Sequence, residues 1–193
     1  AGSDSDQYLN LGTCLRDTGR LQEAIELYST RLPQRPFAGA HAFYAHALLT
    51  AGRFLEGWDQ YEFRWLQEPL LSLRPSLRKP VWAGQDLRGR TILLRTEQGV
   101  GDVIQFIRYA PLLALLGAHV FSVVQPALPP LLSHLRYIEV IACGHPLPAF
   151  VFIFPFPTLP LSFATPPPPF PAHERWAFAR AGQAPIRWRS ADP

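Results

Sequence analysis

The residues best placed to do chemistry lie in one run, Leu93-Leu94-Arg95-Thr96-Glu97-Gln98-Gly99-Val100-Gly101-Asp102-Val103-Ile104-Gln105-Phe106. Thr91 to Leu94 is apolar and reads as a buried strand. The pattern breaks at two glycines and resumes with helical spacing through Ile104, Ile107 and Leu112. A strand, a glycine turn and a helix N-terminus make a pocket edge. Backbone N–H groups point outward there, toward an anion or a sugar hydroxyl. Asp102 falls in the first turn of the helix, where a carboxylate is at home.

That loop needs a sheet to carry it, and the following residues supply one. After the strand Thr91–Thr96, a helix is expected from about Asp102 to Leu116, stopped by Gly117. Ala118–Val124 is β-branched and aromatic, the mark of a second strand. A shorter helix over Leu128–Leu135, a third strand over Glu139–Ala142 and a fourth over Phe150–Phe154 complete the alternation. Strand–helix–strand units at this spacing predict a parallel sheet of the doubly wound type, with ligands beyond the carboxyl ends of the strands. The Gly99–Asp102 loop falls at such an end.

Several chemistries are excluded. No Gly-Lys-Ser or Gly-Lys-Thr follows the glycines, so a Walker phosphate loop is absent. A dinucleotide fingerprint would want a third glycine where Ile104 stands, and an acid after the second strand, where the chain has Gln125. No nucleophile elbow, HExxH pair or repeated Cys/His spacing occurs, so neither a metal nor a cofactor is expected. Cys14 and Cys143 are isolated and read as reduced thiols. The net charge of +3 is carried by scattered arginines, with Lys79 the only lysine, which argues against nucleic acid. The 139–174 stretch has no Asp, Glu, Lys or Arg between its end glutamates, but recurring prolines bar a continuous helix across lipid. With no apolar leader at the N-terminus, a cytoplasmic protein is expected. A start at Ala1 without methionine suggests a chain taken from inside a longer one.

Ahead of the sheet the chain repeats itself. Gly19-Arg20-Leu21-Gln22-Glu23-Ala24, with Tyr28, Arg31 and Pro36, returns 33 residues later as Gly52-Arg53-Phe54-Leu55-Glu56-Gly57, with Tyr61, Arg64 and Pro69; Gly12 and Leu15 are answered by Ala45 and Leu48. Small residues let paired helices approach, the glycine turns the chain, and the proline ends the second helix. The pattern resembles two tetratricopeptide repeats. Two such units cannot stand alone and must lean on a neighbour. Phe54, Trp58, Tyr61 and Trp65 follow helical spacing and form an aromatic stripe, expected to be the interface with the next domain. The repeats imply a possible protein or peptide partner.

Trp82-x-Gly84-x-x-Leu87-x-Gly89, the Glu97–Tyr109 run and the Gly57-Trp58-x-x-Tyr61-Glu62-x-Arg64-Trp65 segment together resemble bacterial proteins that join tetratricopeptide repeats to a glycosyltransferase-like domain. That domain is similar to glycosyltransferase family 9, the heptosyltransferases, which have the two-Rossmann GT-B fold. The resemblance, which covers roughly residues 6 to 148, implies the first half of a GT-B fold in an α plus α/β chain. The chain is read as two repeats over 1–69, a linker over 70–90, a Rossmann-like half-domain over 91–162 and a proline-rich irregular tail over 163–193 that does not match the family. The resemblance also implies a role for Asp102 as the base that takes a proton from a sugar acceptor as the hydroxyl attacks the anomeric carbon. Gln98, Gly99, Gly101 and Gln105 would line the acceptor, and a nucleotide sugar would be the donor substrate. A helix-capping role for Asp102 stays equally open. So do two functions: the acceptor-side half of a sugar transferase, without activity until a donor domain completes it, and a repeat scaffold with a vestigial α/β domain.

Overall fold

The computed structural model describes residues 4–33, 38–68, 70, 79–97 and 99–163. Four helices come first: α1 (Asp4–Asp17), α2 (Leu21–Arg31), α3 (Ala38–Thr50) and α4 (Phe54–Tyr61). Each packs on the next. The turn inside each pair is built identically. Gly19 and Gly52 take φ of +79° and +77°, a left-handed conformation open to glycine without strain. Arg20 N–H then reaches back to Leu15 O at 2.8 Å, and Arg53 N–H to Leu48 O at 2.9 Å. Gly19 and Gly52 N–H close the shorter bond of the same motif, on Arg16 O and Leu49 O. Orphan carbonyls at the end of α1 and α3 are thereby satisfied. Arg20 and Arg53 go on to grip Glu23 and Glu56 in the next turn. The 33-residue period of the sequence is thus carried down to single hydrogen bonds.

A 3-10 turn, Glu62–Leu66, extends α4, and a sheet follows the connecting residues. Its strands are β1 (Thr91–Arg95), β2 (His119–Val124), β3 (Ile138–Ala142) and β4 (Phe152–Pro155). They are all parallel, in the order β3-β2-β1-β4. The described chain is therefore α plus α/β. The last part of the stretch read as linker joins the sheet. Val81 bridges to Ile153, and Trp82 and Leu87 are buried in the sheet's core.

Between β1 and β2 the expected helix is broken in two: α5 (Val100–Phe106) and α6 (Ala110–Leu115), with a 3-10 turn over Ile107–Tyr109. Pro111 explains the break. It has no N–H for the Ile107 carbonyl and its ring crowds that carbonyl, so the backbone tightens and Ala110 N–H takes Ile107 O instead. Gly117, at φ +87°, stops α6 as its position suggested. The next helix, α7, is shorter than its leucine spacing predicts, Pro129–Leu132; its pattern continues into a turn in which Leu135 N–H bonds Leu132 O. β4 begins at Phe152, later than expected, because its register on β1 starts at Ile92↔Phe152. The short α8 (Leu159–Ser162) closes the described chain, with Phe163 stacked on Tyr109 at 5.8 Å. The tail beyond Phe163 lies outside the described residues.

Two separate cores result. One joins α1, α2 and α3 around Tyr8, Ile25, Tyr28 and Leu48. The other fills the sheet and its helices, and Trp58 of α4 packs against it. Among the described residues no helix is long and apolar enough to cross a membrane.

Candidate functional site

The Gly99–Asp102 loop leaves β1 at its carboxyl end, as expected. Gly99 stands at the N-cap of α5 in extended backbone, φ −71° and ψ 166°, and no side chain caps the helix. Asp102 N–H donates to Gly99 O at 3.3 Å. Neither glycine is required by local geometry. Neither has a positive φ, a Cβ on Gly101 would meet nothing within 4 Å, and one on Gly99 would meet only Gly101 N, at 4.0 Å. The bare surface they leave therefore faces outward, where Val100, Ile104 and Gln105 are also exposed. A helix of seven residues sums few peptide dipoles, so the loop offers open backbone and a carboxylate more than an anion field. Asp102 is half-buried; burial pushes its carboxyl above the usual aspartate range, and the charge of Arg64 pulls part of the way back. Gln98 lies outside the described residues.

In the strand order, the chain runs from β1 outward to β2 and β3 and then returns to place β4 on the other side of β1. The crevice between the ends of β1 and β4 is the switch point at which such sheets hold ligands. Here it is occupied by a side chain from the helical region. Arg64 is 5% exposed. Its Nε and Nη2 donate to the two oxygens of Glu97, which follows β1, at 2.8 and 2.9 Å. Nη2 also donates to Thr158 Oγ1, which follows β4, at 2.8 Å. Nη1 donates to Glu62 Oε1 at 2.6 Å and to Tyr61 O at 3.3 Å. Thr158 Oγ1 in turn donates to Glu62 at 3.0 Å. Every guanidinium N–H has an acceptor, which a buried cation needs. The Tyr61 and Trp65 rings lie 4.9 and 5.2 Å from its central carbon and add cation–π attraction.

Two opposed effects act on this pair. Burial lowers the proton affinity of Arg64, but the hydrogen bonds and charge of Glu97, with Glu62 behind them, outweigh it and hold the guanidinium above its ordinary value. Burial raises the Glu97 carboxyl, and Arg64 opposes that rise. The bidentate contact at 2.8 and 2.9 Å is the geometry of an ion pair.

The aromatic stripe divides. Trp58 meets Phe106 of α5 edge to face at 5.4 Å and the sheet core behind it. Tyr61 packs edge-on to Trp58 and tilts toward His46 of α3, while Trp65 lies under Arg64. Phe54 is half-buried at the start of α4. Gln125, at the end of β2, donates from Nε2 to Thr96 Oγ1 at 3.1 Å, tying two strand ends together where a dinucleotide site would present an acid. Among the described residues no group of His, Cys, Asp and Glu could hold a metal ion.

Reasoning from sequence assigned no part to Arg64, Glu97, Glu62 or Thr158. The first three stood inside quoted motifs, but nothing local ties an arginine at the end of one helical repeat to a glutamate after a distant strand. A usable signal was the 33-residue comparison, since Glu62 stands where the first repeat has Ser29.

No family model matches the chain, and no solved structure does. The chain is similar to Protein FlbA of Caulobacter vibrioides, with 37% identity over 113 residues. That match covers 55% of this chain and 19% of the relative, so the chain spans only a small part of that protein's length.

Proposed function

We propose that this chain is the acceptor-side part of a glycosyltransferase of the GT-B kind, similar to family 9, preceded by two tetratricopeptide repeats. One observation carries the reading. Among the described residues nothing requires Gly99 or Gly101 to be glycine, and they bare the backbone beside a half-buried carboxylate at the carboxyl end of β1. Asp102 then acts as the base. A carboxylate whose proton affinity is raised by burial takes a hydroxyl proton more readily. The sugar hydroxyl loses that proton to Asp102 as its oxygen attacks the anomeric carbon of the donor, and the nucleoside diphosphate leaves with the bonding pair. Gln105, exposed on the same short helix, is positioned to hold acceptor hydroxyls, with Gln98 assigned the same task. In enzymes of this kind the nucleotide sugar is held by a second Rossmann domain; the described residues contain a single sheet.

The test is transfer and hydrolysis over a panel of nucleotide sugars, with Asp102→Asn beside the unchanged protein. Turnover that falls by two or more orders of magnitude in Asp102→Asn supports the reading. A folded chain that neither binds nor turns over any donor, alone or with an added donor domain, removes it. The repeat-scaffold reading would then stand in its place, supported by the independent core that the first three helices build.

A further inference from the structure

The Gly99–Asp102 loop is held at both ends by the second helical repeat. Two residues before Gly99, Glu97 is locked by the guanidinium of Arg64. At the end of α5, Phe106 takes the edge of Trp58 from α4. Between these anchors Val103 is buried in the sheet core, but the outer side of the loop is bare. A Cβ on Gly101 would meet nothing within 4 Å, the helix has no side-chain cap, and Val100, Ile104 and Gln105 face solvent. Arg64 also binds Thr158, so one side chain fixes the ends of β1 and β4 relative to each other and to α4. The corresponding arginine of the first repeat, Arg31, is exposed. What Arg64 does is therefore not a property of the repeat but of this joint.

We propose that Arg64 is a positioning residue through which the second repeat sets the place of the Gly99–Asp102 loop, so that whatever shifts the repeat is felt at the loop. Trp58 is its partner at the far end of α5. The clamp deepens the transfer reading by giving the repeats a task at the same site, and rests on that reading only for what Asp102 does to a substrate. Where the loop sits, and the charge that Asp102 sees, are measurable without any sugar. The charged groups around it are Arg64, which favours the ionised aspartate, and Glu97 and Glu62, both bound to Arg64 and opposing its field.

The test compares the whole chain with Arg64→Met, Arg64→Lys and Thr158→Val, by amide hydrogen exchange and by carbon-detected titration of the Asp102 carboxyl. In Arg64→Met, exchange over residues 99–106 should quicken at least tenfold while residues 8–28 of α1 and α2 keep their protection. The Asp102 midpoint should also rise, because the cation that lowers it is gone. Arg64→Lys returns the charge without the two-pronged grip, so it should restore the midpoint and not the exchange. Should Arg64→Met fail to fold, Thr158→Val loosens one prong only and should still quicken residues 99–106 selectively. Unchanged exchange in the loop, or an equal rise along the whole chain, overturns the clamp. Failure of the sugar-transfer assay with the loop still answering to Arg64 would remove the enzyme and leave the clamp standing.

Discussion

The two helical repeats share a sequence pattern and a turn, yet they are stabilised in different ways. In the first, Tyr28 is 1% exposed and its ring fills the space left by Gly12; a Cβ there would stand 2.3 Å from Tyr28 Cζ. The second has Ala45 at that place, Tyr61 is only half-buried, and the close approach has moved to the other helix, where a Cβ on Gly57 would meet Leu49 Cγ at 2.7 Å. Ala24, the counterpart of Gly57, accommodates its methyl at 0% exposure. The first repeat thus closes on itself through an aromatic ring. Freed from that role, Tyr61 faces Arg64 and Trp58, and the second repeat turns its last helix toward the sheet. A repeat position is therefore a place in a pattern, and what it does depends on what lies beside it.

The arginines give the largest contrast. Arg64→Met leaves the Glu97 carboxyl, whose side chain is 4% exposed, buried without its partner. Removing one member of a buried pair costs about 3–5 kcal/mol. Arg31→Met, on an exposed helix end, should stay within about 0.5 kcal/mol of the unchanged protein. Urea unfolding of the two variants measures both. Equal losses would mean that the joint contributes nothing beyond the helix ends.

Trp58→Ala comes next. The ring is half-buried, so the loss should be about half of the roughly 3–5 kcal/mol of a fully buried aromatic. It should also lower the unfolding cooperativity between the helical core and the sheet core, because Trp58 is the ring by which α4 reaches Phe106. Fluorescence and circular dichroism melts that separate in Trp58→Ala but coincide in the parent are the expected result.

The glycines follow. Gly12→Ala presses a methyl into the Tyr28 ring, which is closed in by Tyr8 and Tyr44, and should cost about 1–3 kcal/mol. Gly57→Ala meets chiefly the end of Leu49, a side chain that can turn, although Leu49 N also lies near, at 3.1 Å. The helix propensity gained from glycine to alanine, up to about 1 kcal/mol, then offsets most of the crowding. Thermal melts should rank Gly12→Ala clearly below Gly57→Ala. The reverse order would place the tight contact in the wrong repeat.

Much of this arrangement was legible in the sequence because it is local. The period of 33 residues, the glycine turns, the alternation of strands and helices, and the end of α6 at Gly117 are each set by neighbours in the chain. Pro111 was equally visible and, read for its missing N–H, would have foretold the break at Ile107–Tyr109. The return of β4 to the side of β1 was not legible, since pairing with β3 would satisfy the same apolar run. Nor was the use of Arg64. Its environment is assembled from Glu62, Glu97 and Thr158, residues brought together only when the sheet and the repeat have both formed. At the loop the glycine spacing was readable, but the fact that nothing among the described residues needs those glycines required coordinates.

The smallest effect separates the two roles left open for Asp102. Its folded proton affinity lies above the ordinary value of 3.8, with burial as the leading cause. The folded state therefore binds this proton more tightly than the unfolded one. Stability falls as pH rises through the window from 3.8 up to the folded value, and holds level above it. Asparagine carries no such charge, so at pH 7 Asp102→Asn should be as stable as the parent or slightly more stable, and the gain should vanish when the pH is taken below 3.8. A helix-capping aspartate behaves in the opposite sense: its charge favours the first turn, and the substitution would cost a few tenths of a kcal/mol at neutral pH, roughly the low end for exposed dipole contacts. Paired melts of the two proteins across the acid range decide the sign. A residue whose charge is kept at a cost to the fold is kept for what it does to something else, and a loss on substitution at neutral pH would return Asp102 to the helix.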